Sequence, residues 1–178
     1  MLEKYKNAEK YSTSFLALVK NPVHFCAFGF GSGLINPAPG TWGTLLGVIL
    51  LLPFWKLLFA KWIISSLFLA FTFIIGIYFC GKTAEDIKIH DFGGIVWDEF
   101  VGVWLVMLAI PSPLFAKLNI LISAFICFIL FRIFDILKPA PIRQIDAKLS
   151  GGLGIMIDDV LAAIFALAVL WIFSKILF

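Results

Sequence analysis

The chain has 178 residues, 62% of them hydrophobic, 16% aromatic and 14% charged, with a formal net charge of +3 and a mean hydropathy of +1.04. Soluble domains carry about 45–50% apolar residues, so this composition excludes a water-soluble fold and leaves lipid as the solvent for several helices. The small charge, with no basic stripe, excludes a nucleic-acid partner, and the length sets one all-α, multi-pass helical bundle of about four or five spans.

Residues 1–20 carry Lys4, Lys6, Lys10 and Lys20 around the short apolar run FLALV, too short for a signal-peptide core. They are expected to form an N-terminal cytoplasmic segment ahead of a single membrane-embedded domain over residues 21–178. Gly29 to Thr44 reads GFGSGLINPAPGTWGT, with five glycines and two prolines leading into an apolar run. Such backbone can approach a phosphate, with Ser32, Thr41 and Thr44 adding hydroxyl donors. The same glycines also suit a re-entrant turn or close helix packing. The string matches neither a Walker A loop nor a Rossmann fingerprint.

The first span is expected over Thr41–Ala60, kinked at Pro53, with Lys56 snorkelling at its far end. The second, Trp62–Cys80, contains no charge. A loop from Gly81 to Gly94 follows, in which His90 beside Asp91 suits water orientation, a metal or plain surface placement. The third span is Ile95–Ile110, with Asp98 and Glu99 in its first turn and Pro111 to Pro113 as its breaker. Adjacent helical residues point about 100° apart, so these two acids face different partners. Acids at a helix start also complement its dipole, but carboxylates this near hydrocarbon point to function.

The fourth span, Asn119–Leu137, stays apolar until Arg132 and Asp135, and KPAP from Lys138 should stop it. Arg132, Asp135 and Lys138 lie three apart and share a face, as a salt-bridge ladder or as a cationic clamp for a lipid phosphate, with Arg143 just beyond. A second Gly-rich turn, SGGLG from Ser150, leads into the fifth span near Ile155 to Phe178, with Asp158 and Asp159 at its head. These two acids together with Asp98 and Glu99 offer hard oxygen ligands suited to Mg²⁺.

Five alternating spans place the N-terminal segment and the loops Gly81–Gly94 and Lys138–Gly154 on one side. Lys56, Lys61, Lys117 and Lys175 lie opposite, and the remaining basic residues make the first side cytoplasmic. All eleven acidic residues fall on that same side, which insertion rules alone do not require. Cys26, Cys80 and Cys127 form no CxxC pattern and are read as packing residues.

In this order, GFGSG, PGTWGT, HDFGGIVWDEFVG, FRIFDILKPAPIR and GGLGIMIDDV resemble the phosphatidylglycerophosphatase A family from Asn21 to Ala166. The resemblance implies a bacterial inner-membrane enzyme that hydrolyses the terminal phosphomonoester of phosphatidylglycerophosphate with Mg²⁺, its active site facing the cytoplasm. On the residues, Asp98, Glu99, Asp158 and Asp159 are expected to hold one or two Mg²⁺ ions. Arg132, Lys138 and Arg143, with Thr41 and Ser32, are expected to bind the phosphate, while Asp135 and His90 join the catalytic set. An ion- or proton-coupled transporter is the alternative use of clustered membrane acids. The uncharged run Trp62–Cys80 and the absence of acids from the far side speak against it.

Overall fold

The computed structural model describes residues 20–89, 92–146 and 149–177, and all regular elements among them are helical. Helix α1 (Pro22–Ala27) starts at Asn21, whose side chain accepts the Val23 amide at 3.1 Å, and Pro22 fills the first turn, where its missing N–H is no loss. A 3-10 turn over Gly29–Leu34 follows, with positive φ at Gly29, Phe30 and Gly31. Helix α2 (Pro39–Leu51), a 3-10 step at Leu52–Phe54 and α3 (Trp55–Phe59) form one bent crossing. The bend falls where expected, at Pro53, which cannot donate to the helix ladder.

Then come α4 (Trp62–Ile87), α5 (Trp97–Leu108), α6 (Ser112–Lys117), α7 (Ile120–Leu137), α8 (Ile142–Asp146) and α9 (Gly151–Leu177). The Asn119 side chain caps α7 by accepting the Leu121 amide at 2.8 Å. Lys138 ends α7 in the left-handed conformation at φ 40°, at the breaker the sequence marks.

Among the described residues four helical segments are long and apolar enough to cross a membrane: Pro39–Phe59, Trp62–Ile87, Ile120–Leu137 and Gly151–Leu177. The expected span Ile95–Ile110 is not one of them. Its helix, α5, has 12 residues, which at about 1.5 Å per residue reach about 18 Å against roughly 30 Å of hydrocarbon. Helix α5 lies instead among α2, α4, α7 and α9, touching all four, and nine of its residues are buried. An apolar helix looks the same in sequence whether lipid or protein surrounds it, which is why its pattern resembles a span.

Indole donors pin α5 in place. Trp104 Nε1 donates to the Gly47 carbonyl at 2.7 Å and Trp97 Nε1 to the Thr72 carbonyl at 3.1 Å. Trp55 Nε1 of α3 donates to the Met107 carbonyl at 2.7 Å. Below α5 the chain continues through α6, where Phe115 packs on Trp55 and Phe59 at ring separations of 4.7 and 4.5 Å. The α5 to α6 stretch therefore carries the chain to the opposite end, α5 covered by protein and α6 mostly exposed.

Two Gly-rich stretches depart from the expected loops. Helix α4 continues through Gly81 to Ile87, and SGGLG supplies the first turn of α9 from Gly151 rather than a turn before it. The cause is mutual. A Cβ at Gly152 would collide with the Ile77 carbonyl, and one at Gly81 would lie 3.1 Å from the Gly152 nitrogen, so these glycines let two helices touch backbone to backbone. Asp158 and Asp159 consequently sit about two turns inside α9. The Cys26, Cys80 and Cys127 thiols are free, the latter two buried.

Candidate active site

The functional groups gather where the start of α2, the start of α5, the end of α7 and the second turn of α9 meet. Helix α2 presents Gly40, Gly43 and Gly47 toward α5. A Cβ at Gly40 would collide with Glu99 Oε1, one at Gly43 with Glu99 Oε2 and Val96, and one at Gly47 would press Phe100 and Val103. The Glu99 carboxylate thus occupies space that two absent side chains leave open. Arg132 closes over it from α7, its Nη1 donating to Glu99 Oε1 at 3.2 Å, to Asp135 Oδ2 at 2.5 Å and to Thr44 Oγ1 at 3.4 Å. The Thr44 hydroxyl in turn donates to the Gly40 carbonyl at 2.9 Å.

Lys138, held by its left-handed cap, directs Nζ across to Asp158 Oδ2 at 2.5 Å and so ties the end of α7 to α9. Asp98, Asp158 and Asp159 are all buried, 9%, 7% and 2% exposed. Asp98 sits in the field of Glu99, Asp158 and Asp135, and Asp159 in that of Asp135, Asp98, Asp158 and Glu99. The two adjacent acids of α5 do diverge. Glu99 turns to α2 and Arg132, while the backbone at Asp98 meets the Cys80 thiol of α4. Gly102 permits this crowding, since a Cβ there would meet Phe131 and the Asp159 carbonyl.

Among the described residues several buried polar atoms of this cluster have no hydrogen-bond partner: Asp98 Oδ1, Glu99 Oε2, Asp159 Oδ2 and, as a donor, Arg132 Nε. Buried polar atoms without partners are rare, and water, an ion or a ligand can satisfy them. The acceptors are hard anionic oxygens, the donor set for Mg²⁺. Among the described residues no trio of His, Cys, Asp or Glu stands at ligand spacing, so these acids are an available donor set rather than a finished coordination shell. Exposure rises outward from Asp159 through Asp135, at 13%, to Lys138, at 27%, which marks Lys138 as the open edge.

Ser32 does not reach the cluster with its hydroxyl, which donates to the Gly29 carbonyl at 2.8 Å and closes the 3-10 turn. Thr41 is half-buried in the first turn of α2, and Arg143 is exposed on α8. His90 and its neighbour Asp91 lie outside the described residues. The sequence reading passed over His24, which is buried on α1 with Nε2 3.0 Å from Asp86 Oδ2, while Lys82 Nζ reaches Asp86 Oδ1 at 2.8 Å. Nothing local distinguishes His24; only the helical continuation of α4 past Gly81 brings Asp86 beneath it. The glycine period in GTWGTLLG was the available signal for the Glu99 recess.

The family model described as Phosphatidylglycerophosphatase A matches residues 25–174. A Haemophilus influenzae protein named phosphatidylglycerophosphatase A is 55% identical over 151 residues, covering 85% of this chain and 88% of the relative. An Escherichia coli protein of the same name is 42% identical over 154 residues, covering 86% and 84%. A Bacteroides thetaiotaomicron protein that carries a provisional name as a phosphatidylinositol-3-phosphatase is 41% identical over 144 residues, covering 78% and 84%. No solved structure matches.

Proposed function

The chain belongs to the phosphatidylglycerophosphatase A family, and from that membership we propose that it hydrolyses phosphatidylglycerophosphate to phosphatidylglycerol and phosphate, with Mg²⁺, at the cytoplasmic face of a bacterial inner membrane. The observation that carries the reading is the meeting of Glu99, Asp98, Asp135, Asp158 and Asp159 with Arg132 and Lys138, from three helices, at one end of the bundle. A phosphomonoester on a lipid headgroup presents its charge at that depth while its acyl chains remain in the bilayer.

Within this reading Glu99 and Asp135 fix the guanidinium of Arg132, and its unpartnered Nε–H is aimed for a phosphoryl oxygen. Lys138, at the open edge, meets the incoming phosphate first. Asp98, Glu99, Asp158 and Asp159 would hold the cation, which when bound neutralises phosphate charge and lowers the pKa of water. Water oxygen adds to phosphorus, the phosphorus–oxygen bond to the glycerol breaks, and the glycerol oxygen takes up the proton that the water has given to Asp159. Asp159, the least exposed of the acids, is placed to accept the proton that the attacking water gives up. The cytoplasmic assignment rests on Lys82, Lys88, Arg132, Lys138 and Arg143 at the carboxylate end, against Lys56, Lys61, Lys117 and Lys175 at the other.

The test is phosphate release by the purified protein in detergent, with phosphatidylglycerophosphate and phosphatidylinositol 3-phosphate as parallel substrates. Release from the first, abolished by excess chelator and restored by Mg²⁺, supports the reading. Release only from the inositol lipid would replace the substrate, and activity indifferent to chelator would remove the cation.

A further inference from the structure

Helix α4, which the hydrolytic scheme above leaves unused, turns one buried stripe toward α5 and α9, the helices that carry Asp98, Asp158 and Asp159. Thr72, Gly76, Cys80, Thr83 and Ile87 are all buried, and their spacing places them within about 80° on a single face. Each neighbour on that stripe reports what it faces. A Cβ at Gly76 would meet Trp97 and Met156. The Cys80 sulfur stands 3.8 Å from that of Met156, reaches the Asp98 backbone and lies in the field of Asp98, Asp159 and Asp158. Ile87 packs with Phe28 and Phe92. Thr83, one turn outward from Cys80, therefore looks into the space between the first turn of α5 and the first turns of α9.

It is fully buried, at 0% exposure, and its hydroxyl has no hydrogen-bond partner among the described residues. A threonine inside a helix ordinarily returns its hydroxyl to the carbonyl one turn back. Thr44 and Thr72 do so, each at 2.9 Å, to Gly40 and Phe68. Thr83 has the Phe79 carbonyl in the same relative position and does not bond to it. Ser123 also has an unpartnered buried hydroxyl, but it lies near the start of α7, at the opposite end from Arg132 and Asp135. The carboxylate end thus holds two donors without partners, the Thr83 hydroxyl and Arg132 Nε, beside acceptors without partners on Asp98, Glu99 and Asp159. Acceptors of that kind suit a cation; donors suit the oxygens of a phosphoryl group.

We propose that Thr83 is a phosphate-binding residue, its hydroxyl donating to a phosphoryl oxygen of the substrate from the α4 side while Arg132 donates from the α7 side. The proposal rests on the hydrolase reading of the site. It explains why α4 must run on as a helix through Gly81: a chain that left the helix at Cys80 would not carry Thr83 over Asp98.

Thr83→Val and Thr83→Ser, made in the full chain and purified in detergent, test it through kinetics with phosphatidylglycerophosphate, inhibition by inorganic phosphate, and thermal melting. Thr83→Val should lower kcat/KM and weaken inhibition by inorganic phosphate roughly 10- to 100-fold, and Thr83→Ser should stay within about threefold of the unmodified protein, as expected for one hydrogen bond to a charged group. The melting temperature of Thr83→Val should be unchanged or higher, because a methyl group replaces a hydroxyl that had no partner. Unchanged phosphate inhibition and kcat/KM in an active background overturns the role of Thr83 alone. Activity lost in step with melting temperature, and not regained in Thr83→Ser, overturns it in favour of a packing role. An unmodified protein that releases no phosphate overturns the hydrolase reading and the Thr83 role with it.

Discussion

Replacing Gly40 by alanine isolates the recess that holds Glu99. The added Cβ would collide with Glu99 Oε1 and stand 3.1 Å from Arg132 Nη1. The backbone of α2 is bonded into its helix, so the carboxylate must yield, carrying Arg132 with it through their 3.2 Å contact. Two terms act on stability. Alanine in place of a helical glycine gains about 1 kcal/mol, while forcing a methyl into packed space costs about 1–3 kcal/mol, so the net loss is about 0–2 kcal/mol. For a chain of this size that is at most roughly 8 °C of melting temperature. Function is more sensitive, since displacing a catalytic group by about 1 Å costs on the order of 100-fold in rate. Gly47→Ala is the control: its Cβ would press Phe100 and Val103 at 3.1 and 3.2 Å and touches no charged group. It should lose a similar amount of stability with phosphate release per folded molecule retained. Phosphate release and melting, measured on both proteins, decide the matter. Full activity in Gly40→Ala, or equal activity losses in both, would refute the idea that the glycine at position 40 exists to seat Glu99.

Arg132→Lys keeps the charge but loses the planar guanidinium whose Nη1 meets Glu99, Asp135 and Thr44 together and whose Nε is left over for substrate; kcat/KM for phosphate release should fall about 100-fold, and a loss below threefold would contradict the clamp. Asp159→Asn preserves shape and removes one of several mutually repelling buried acids. It should abolish measurable phosphate release while the melting temperature holds or rises, and an active variant would exclude Asp159 from both metal and proton transfer. Trp104→Phe withdraws the donor to the Gly47 carbonyl, costing about 1–3 kcal/mol for the buried acceptor left behind; a lower melting temperature with normal activity is expected, and an unchanged melting temperature would mean that the indole bond does not hold α5.

Punctuation by proline and by charge was legible in the chain. Pro53 bends the first crossing and Lys138 ends α7 as their chemistry requires, and the divergence of Asp98 from Glu99 follows from helical geometry alone. Glycine was ambiguous. Gly81, Gly151 and Gly152 looked like breakers, but glycine serves loops and close helix contacts equally, and only the partner helix decides between them. The length of α5 was obscured for a related reason, since apolar residues facing protein and apolar residues facing lipid spell the same pattern. Ser32 illustrates the limit of composition: a hydroxyl in a Gly-rich turn is as ready to bond its own backbone as a ligand.

A helix of 12 residues with two carboxylates in its first turn has no stable berth in hydrocarbon before its neighbours arrive. Its burial depends on α7, which brings Arg132, and on α9, which brings Asp158, Asp159 and the opposing wall. A chain ending before α9 would keep its other lipid-facing helices and lack the wall that closes over Asp98 and Glu99.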